Sequence, residues 1–248
     1  MAANGRAAGP EVIWARPERA GRGPRPAFTR EEIAAAAVRI ADADGLAAVS
    51  MRRVATAVGC ATMSLYNYVP SKGDLVDLMV DLVGGEYELP AEPSGDWRAD
   101  LRQLAYQERA MMRRHPWMAG AVLSHNFLGP NALRYLEFAL AALADSGLDD
   151  GLKLELISMV NGTVISIASS ELAAAERAKE SGHTVEQHRA AQAGYLARVV
   201  ADGQHPRVAR AFAHSSVPAV DADEVFDRVI GRVLDGYAGP AGPEPKGR

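Results

Sequence analysis

The sequence predicts an all-α protein, with a three-helix head ahead of a larger helical domain. Three observations carry this. Apolar residues recur at helical spacing through most of the 248 residues. Capping residues and glycine or proline stops fall where those runs begin and end. No stretch shows the alternation or the paired-turn residues of a strand or hairpin.

The elements follow in order. Residues 1–27 read as a flexible Arg/Pro/Gly-rich arm, because its RPERAGRGPRP run cannot hold a helix. Trp14 is the one arm residue placed to dock. Thr29-Arg30-Glu31-Glu32 fits a capping box, and Ile33, Ala37, Ile40 and Ala41 then fall on one face until Gly45. Ser50 opens a second helix over Met51–Val58, with Val54, Ala55 and Val58 inward, and Gly59 breaks it. A short third helix is expected over Thr62–Tyr68, stopped by Pro70. Ser71-Lys72-Gly73-Asp74 opens a fourth, with Leu75, Leu78, Met79 and Leu82 inward, ending near Gly84-Gly85.

Residues 89–96 read as a linker. Helices are then expected at 97–114, 116–123, 130–146, 149–180, 184–201, 205–214 and 223–237. The domains are thus an arm 1–27, a head 28–86, a helical domain 96–238 and a disordered tail 239–248.

Composition narrows the function. One cysteine, Cys60, excludes an intrachain disulfide and a cysteine-based zinc site. No apolar run of about 20 residues and no leader-like segment are evident, so a soluble cytoplasmic protein is expected. The net charge is −4, yet residues 1–85 hold ten Lys and Arg against nine Asp and Glu. Positive charge is gathered at the front of an acidic chain.

The stretch ATMSLYNYVPSK is polar and aromatic, with a single basic residue, Lys72. It follows a helix and a glycine-centred turn, which is the helix-turn-helix arrangement. The second helix of such a pair lies in the DNA major groove. Hydroxyls on Thr62, Ser64, Tyr66 and Tyr68 can donate to phosphates. Met63 can meet a thymine methyl and Asn67 an adenine edge. Lys72 lies at a helix start and suits a phosphate. Arg52 can reach a base or a phosphate, and Arg53 a phosphate.

The run FTREEIAAAAVRIADADGLAAVSMRRVATAVG, the aromatic pair in SLYNYVPSK and the amphipathic helix after it resemble the TetR family of bacterial transcription repressors over residues 29–80. The rest of the chain is similar, in helix pattern, to the ligand-binding and dimerisation half of those repressors. The resemblance implies a homodimer on a palindromic double-stranded DNA operator, released by a small-molecule effector. Arg52, Thr62, Met63, Ser64, Tyr66, Tyr68 and Lys72 match the family's DNA-contact positions. Two departures stand out. Ala61 replaces a capping serine, so Thr62 could cap and shift the helix start. Asn67 replaces a residue that is often basic or aromatic. The arm's arginines either neutralise phosphate or enter the minor groove, or the arm is a solubilising tail.

In the second half, Val225, Phe226, Val229, Ile230, Val233, Leu234 and Tyr237 form two adjacent apolar stripes. Ser158, Gly162, Ser166 and Ser170 form a small-residue stripe, which suits either close helix approach or a cavity wall. The expected dimer interface is Ser158, Gly162, Ser166, Phe226, Val229, Ile230, Val233 and Tyr237. Polar and aromatic residues among the apolar helices are the candidate ligand contacts: Tyr106, Trp117, His125, Asn126, Phe127, Tyr135, Phe138, Asn161 and Thr163.

Chemistry is sparse. His183 and His188 lack the spacing of a metal pair and are expected to point apart. Asp149 and Asp221 precede helices and suit capping. No catalytic, metal or cofactor site is expected. The alternative is a helical enzyme or partner-binding protein that shares only the N-terminal fold.

Overall fold

The computed structural model describes residues 12–16, 28–124, 128–214 and 221–237. Among these residues the regular elements are all helices: α1 Arg30–Asp44, α2 Met51–Val58, α3 Thr62–Leu65, α4 Lys72–Gly84, α5 Trp97–Arg114, α6 Met118–Ser124, α7 Pro130–Ala142, α8 Asp150–Ser181, α9 Val185–Ala201, α10 Pro206–His214 and α11 Ala222–Gly236, with 3-10 turns at Ile13–Ala15 and Leu46–Ala48.

Local chemistry sets most helix starts. Thr29 and Glu32 form the expected reciprocal capping box on α1. Ser50, Ser71, Asp149 and Asp221 each accept a backbone N–H of the helix they precede. Gly59 ends α2 in the left-handed region, at φ 80° and ψ 33°, where a side chain is disfavoured.

The chain packs as two compact units, Met1–Gly147 and Leu148–Arg248. In the first, α1 packs on α2 and α4, and α4 also meets α6 and α7. Ile33, Val54, Leu65, Leu75 and Met79 are fully buried there. Each contributes on the order of 1.5–3 kcal/mol of apolar burial. In the second unit α8 packs against α9 and α11, and α9 against α10. Packing therefore groups α5–α7 with the head helices, where the sequence places a division at 87–95. Two polar joints account for the grouping. Asp81 of α4 is buried and accepts the N–H groups of Asn131 and Ala132 at 3.0 and 3.1 Å, capping α7. Asp42 of α1 accepts Trp117 Nε1–H at 2.7 Å, and the same oxygen lies 2.7 Å from His115 Nδ1.

Several expectations need correction. The arm is not free over residues 12–16. Ile13 is 0% exposed and lies in the head's core, and Trp14 packs against that core. Arg30 holds this turn in place, donating from Nη1 to the Ile13 and Arg16 carbonyls at 2.9 Å. The third helix closes at Leu65, three residues early. Asn67 and Tyr68 donate back three residues, to Ser64 at 3.1 Å and Leu65 at 3.0 Å, which winds the end into a tight turn. Leu82 is only half-buried, and Val83 takes the inward place. Among the described residues one helix, α8, is long and apolar enough to cross a membrane by length and composition alone, contrary to the expectation of no such run. The tail 239–248 lies outside the described residues.

Candidate functional site

The turn after α2 sets the direction of α3. Gly59 N–H donates to Thr56 and Cys60 N–H to Ala55, at 3.2 and 2.9 Å. Cys60 is half-buried against the core, as a small packing residue is expected to be. Ala61 is the N-cap of α3, with no side-chain cap. Thr62 is therefore the first helical residue and does not cap, which leaves the helix start unshifted. The Ser64 and Leu65 N–H groups both donate to the Ala61 carbonyl, at 2.9 and 3.2 Å.

Leu65 is the anchor of this element. It is 0% exposed, so the rest of α3 faces solvent. Met63 is 75% exposed and Tyr66 40%. Arg52, Ser64, Asn67 and Lys72 are exposed and Thr62 is half-exposed. An exposed methionine, tyrosine and asparagine on four residues of helix and its following turn make a surface with little structural purpose of its own. Two expected contacts are partly engaged elsewhere. Arg53 is ion-paired with Asp44 at the surface. Such an exposed pair is worth about 0–1 kcal/mol, so it opens readily. Tyr68 is half-buried against the head's core, and its carbonyl accepts Arg30 Nε–H at 3.1 Å.

The candidate ligand contacts divide between the units. Trp117 is 7% exposed. It is buried in the head's core with its indole N–H on Asp42. Tyr106 is exposed. Tyr135 and Phe138 are half-buried on α7. Tyr135 stacks on Tyr87, with ring centroids 4.7 Å apart. Asn161 and Thr163 are half-buried on α8, and the Thr163 hydroxyl donates to the Met159 carbonyl at 2.7 Å. His125, Asn126 and Phe127 lie outside the described residues.

The dimer candidates separate by stripe. Phe226 and Ile230 are 0% exposed, because with Leu234 they form the face of α11 that packs within the second unit. They are corrected to core residues. Val229, Val233 and Tyr237 are half-exposed, and Ser158, Gly162 and Ser166 are exposed. Ser158, Gly162, Ser166 and Val229 share an open groove of about 360 Å³. Tyr237 donates its hydroxyl to Glu155 at 2.5 Å. That bond holds its proton above the ordinary tyrosine range.

His183 and His188 do not point apart. Their ring centroids are 5.8 Å apart, edge to face, and both histidines contact Ser181. They sit on either side of the Gly182 reversal, so single-helix spacing does not apply. Among the described residues no third ligand completes a metal site.

Five ionisable groups of the first unit lie outside the candidates drawn from the sequence: Asp81, Glu86, Tyr87, Glu108 and His115. Asp81 lies inside the apolar run LMVDLVGG, where a lone carboxylate signals a buried acceptor role. His115 Nε2 lies 3.0 Å from Glu86 Oε1, so the buried imidazole has a carboxylate on each nitrogen. Glu108 is 6% exposed, and its Oε2 has no hydrogen-bond partner. Burial pushes its carboxyl up to about 8. Tyr87 is also pushed up, by burial first and then by Glu108 and Tyr135.

A capped helix pair set at a glycine turn, with a short polar helix facing out, defines a helix-turn-helix DNA-binding protein. The comparisons make this specific. Residues 33–79 match "Bacterial regulatory proteins, tetR family" and residues 89–239 match "Tetracyclin repressor-like, C-terminal domain". The chain belongs to the TetR family of bacterial regulatory proteins. It is 40% identical over 227 residues to the HTH-type transcriptional repressor DrrR1 of Streptomyces coeruleorubidus, covering 91% of this chain and 83% of that one. An HTH-type transcriptional regulator of Saccharopolyspora erythraea is 35% identical over 162 residues, 65% of this chain and 68% of its own. Among solved structures, the Streptomyces coelicolor TetR family protein ActR in complex with (S)-DNPA superposes with a TM-score of 0.70 at 26% identity, over 85% of this chain and 97% of that one.

Proposed function

We propose that the chain is a ligand-responsive transcriptional repressor that binds a palindromic operator as a homodimer and releases it when a small-molecule effector binds. The exposed, nearly uncharged α3 surface around Met63 and Tyr66 carries this reading. Arg52, Thr62, Ser64, Asn67 and Lys72 extend it, with Arg53 and Tyr68 at its edge. The repressor relative and the solved complex of ActR with a small molecule support the same function. The enzyme alternative has no observation in its favour.

Dimerisation is supported by the exposed small-residue face of α8 and the half-exposed Val225, Val229 and Val233 of α11. Each presents helix surface that a second copy can cover, in a four-helix arrangement. Two tethered heads gain affinity over one by roughly 10²–10⁴-fold when their spacing fits the groove repeat. The effector must bind the DNA-incompetent state better, or it shifts nothing. A soluble protein acting in the cytoplasm follows from this role.

The test is salt-dependent, sequence-specific binding to a palindrome near the chain's own gene. Tyr66→Ala and Lys72→Ala are expected to weaken it at least tenfold while circular dichroism stays unchanged. Undiminished binding in both variants sinks the site assignment.

A further inference from the structure

Arg30 is a cation at the wrong end of its helix. It is the first residue of α1, where the helix dipole disfavours positive charge, and it is 8% exposed. Arginine is rarely buried without partners that hold it. Here the guanidinium donates to three backbone carbonyls. Nε reaches Tyr68 at 3.1 Å, and Nη1 reaches Ile13 and Arg16 at 2.9 Å. One side chain thus ties the N-terminal turn to the turn that closes α3.

Both ends of the tie are set. Ile13 is 0% exposed in the head's core, and its turn meets α4. The Trp14 ring lies against Gly129, where a Cβ would meet it at 2.6 Å. At the other end, Tyr68 stands between the exposed Tyr66 and Asn67 and the fully buried Val69. The helix α3 is only four residues long, so it has little stiffness of its own. Burial of Leu65 and Val69 fixes its depth, but apolar contact is non-directional. The bond from Arg30 to the Tyr68 carbonyl is directional and fixes the angle at which the chain leaves α3.

We propose that the Ile13–Ala15 turn is a brace for DNA reading. With Trp14 seated, the turn holds the Arg30 guanidinium on the Tyr68 carbonyl, and Arg30 holds Tyr66 and Asn67 at their reading angle. Ile13, Trp14 and Arg30 are positioning residues that act without touching DNA. The N-terminal segment therefore contributes to sequence specificity through this contact, separately from any charge it brings to phosphate. This rests on the reading of α3 as the DNA-contacting element and names residues that set its specificity.

Two readouts on the full-length chain test it. The first is hydrogen exchange without DNA. Trp14→Ala and Arg30→Met are expected to speed amide exchange at residues 66–69 about tenfold, while α4 stays protected. The second is the ratio of affinities for an operator duplex, selected by the wild-type chain from a random-sequence pool, and a shuffled duplex of equal length. Both variants are expected to lower this ratio about tenfold, by weakening operator binding and leaving the shuffled duplex unchanged. Circular dichroism checks that each variant is folded at the temperature used. Should Arg30→Met fail to fold, Trp14→Ala decides. Trp14→Phe keeps a ring against Gly129 and is expected to stay near wild type in both readouts. Arg19→Gln, Arg22→Gln and Arg25→Gln together remove arm charge and are expected to leave the ratio unchanged. Unchanged exchange at 66–69 in folded Trp14→Ala, an unchanged ratio in that variant, or an equal fall in the triple glutamine variant overturns the proposal. A wild-type chain that selects no operator sinks the DNA-binding reading, and this inference with it. A selected operator with unmoved variants sinks this inference alone.

Discussion

Single residues carry the sharpest expectations. Glu108 has a folded-state pKa of about 8, raised from an ordinary 4.5. Between those values the native state holds a proton that the unfolded chain has released. The group's contribution is thus fully present below about pH 4.5 and is lost as pH rises through about 8. The span corresponds to roughly 5 kcal/mol at most. Thermal melts from pH 5 to 8.5 are expected to show the protein losing stability faster than Glu108→Gln does. Parallel curves would refute the burial effect. Gly129 is a steric case. A Cβ there would lie 2.2 Å from Asp81 Oδ1 and 2.6 Å from the Trp14 ring. Gly129→Ala is expected to cost about 1–3 kcal/mol, read as a lowered Tm. Glu108 was legible in principle, since a period count from Leu101 places it on the buried face. Gly129 was not, because its constraint comes from Trp14 and Asp81, both distant in sequence.

At the level of elements, local chemistry was readable and tertiary chemistry was not. Thr29, Ser50 and Ser71 announce their helices because each cap bonds within three residues. The docking of Ile13 was hidden, because it depends on Arg30 reaching back across 17 residues to a carbonyl. The early end of α3 was hidden too, since three-residue back-bonds leave no distinct sequence mark. In the second unit the two stripes of α11 were visible, but which one faces inward was settled only by packing. The joint between α1 and the start of α6 has a direct test. Asp42→Ala strips an acceptor from both His115 and Trp117. Leaving two buried donors unmet is expected to cost about 2–4 kcal/mol, read by chemical denaturation. A cost below 0.5 kcal/mol would mean that water replaces the carboxylate freely.

For the whole molecule, the expected behaviour is that of a dimer whose DNA affinity depends on assembly. Val229→Glu with Val233→Glu places charge on the half-exposed stripe of α11 while sparing the buried Phe226, Ile230 and Leu234. Sedimentation is expected to show single subunits, and operator affinity is expected to fall about 100-fold. A dimer that persists would move the interface to another face. The helix α4 links these scales. It carries Lys72 at its first residue and Asp81 near its last turn, nine residues apart, or about 13 Å along the axis. One end lies at the proposed DNA-reading surface, and the other caps α7 through backbone amides. A stiff rod held this way is a lever. A tilt of a few degrees at the α7 end would carry Lys72 by about an ångström, enough to break a phosphate contact without unfolding anything.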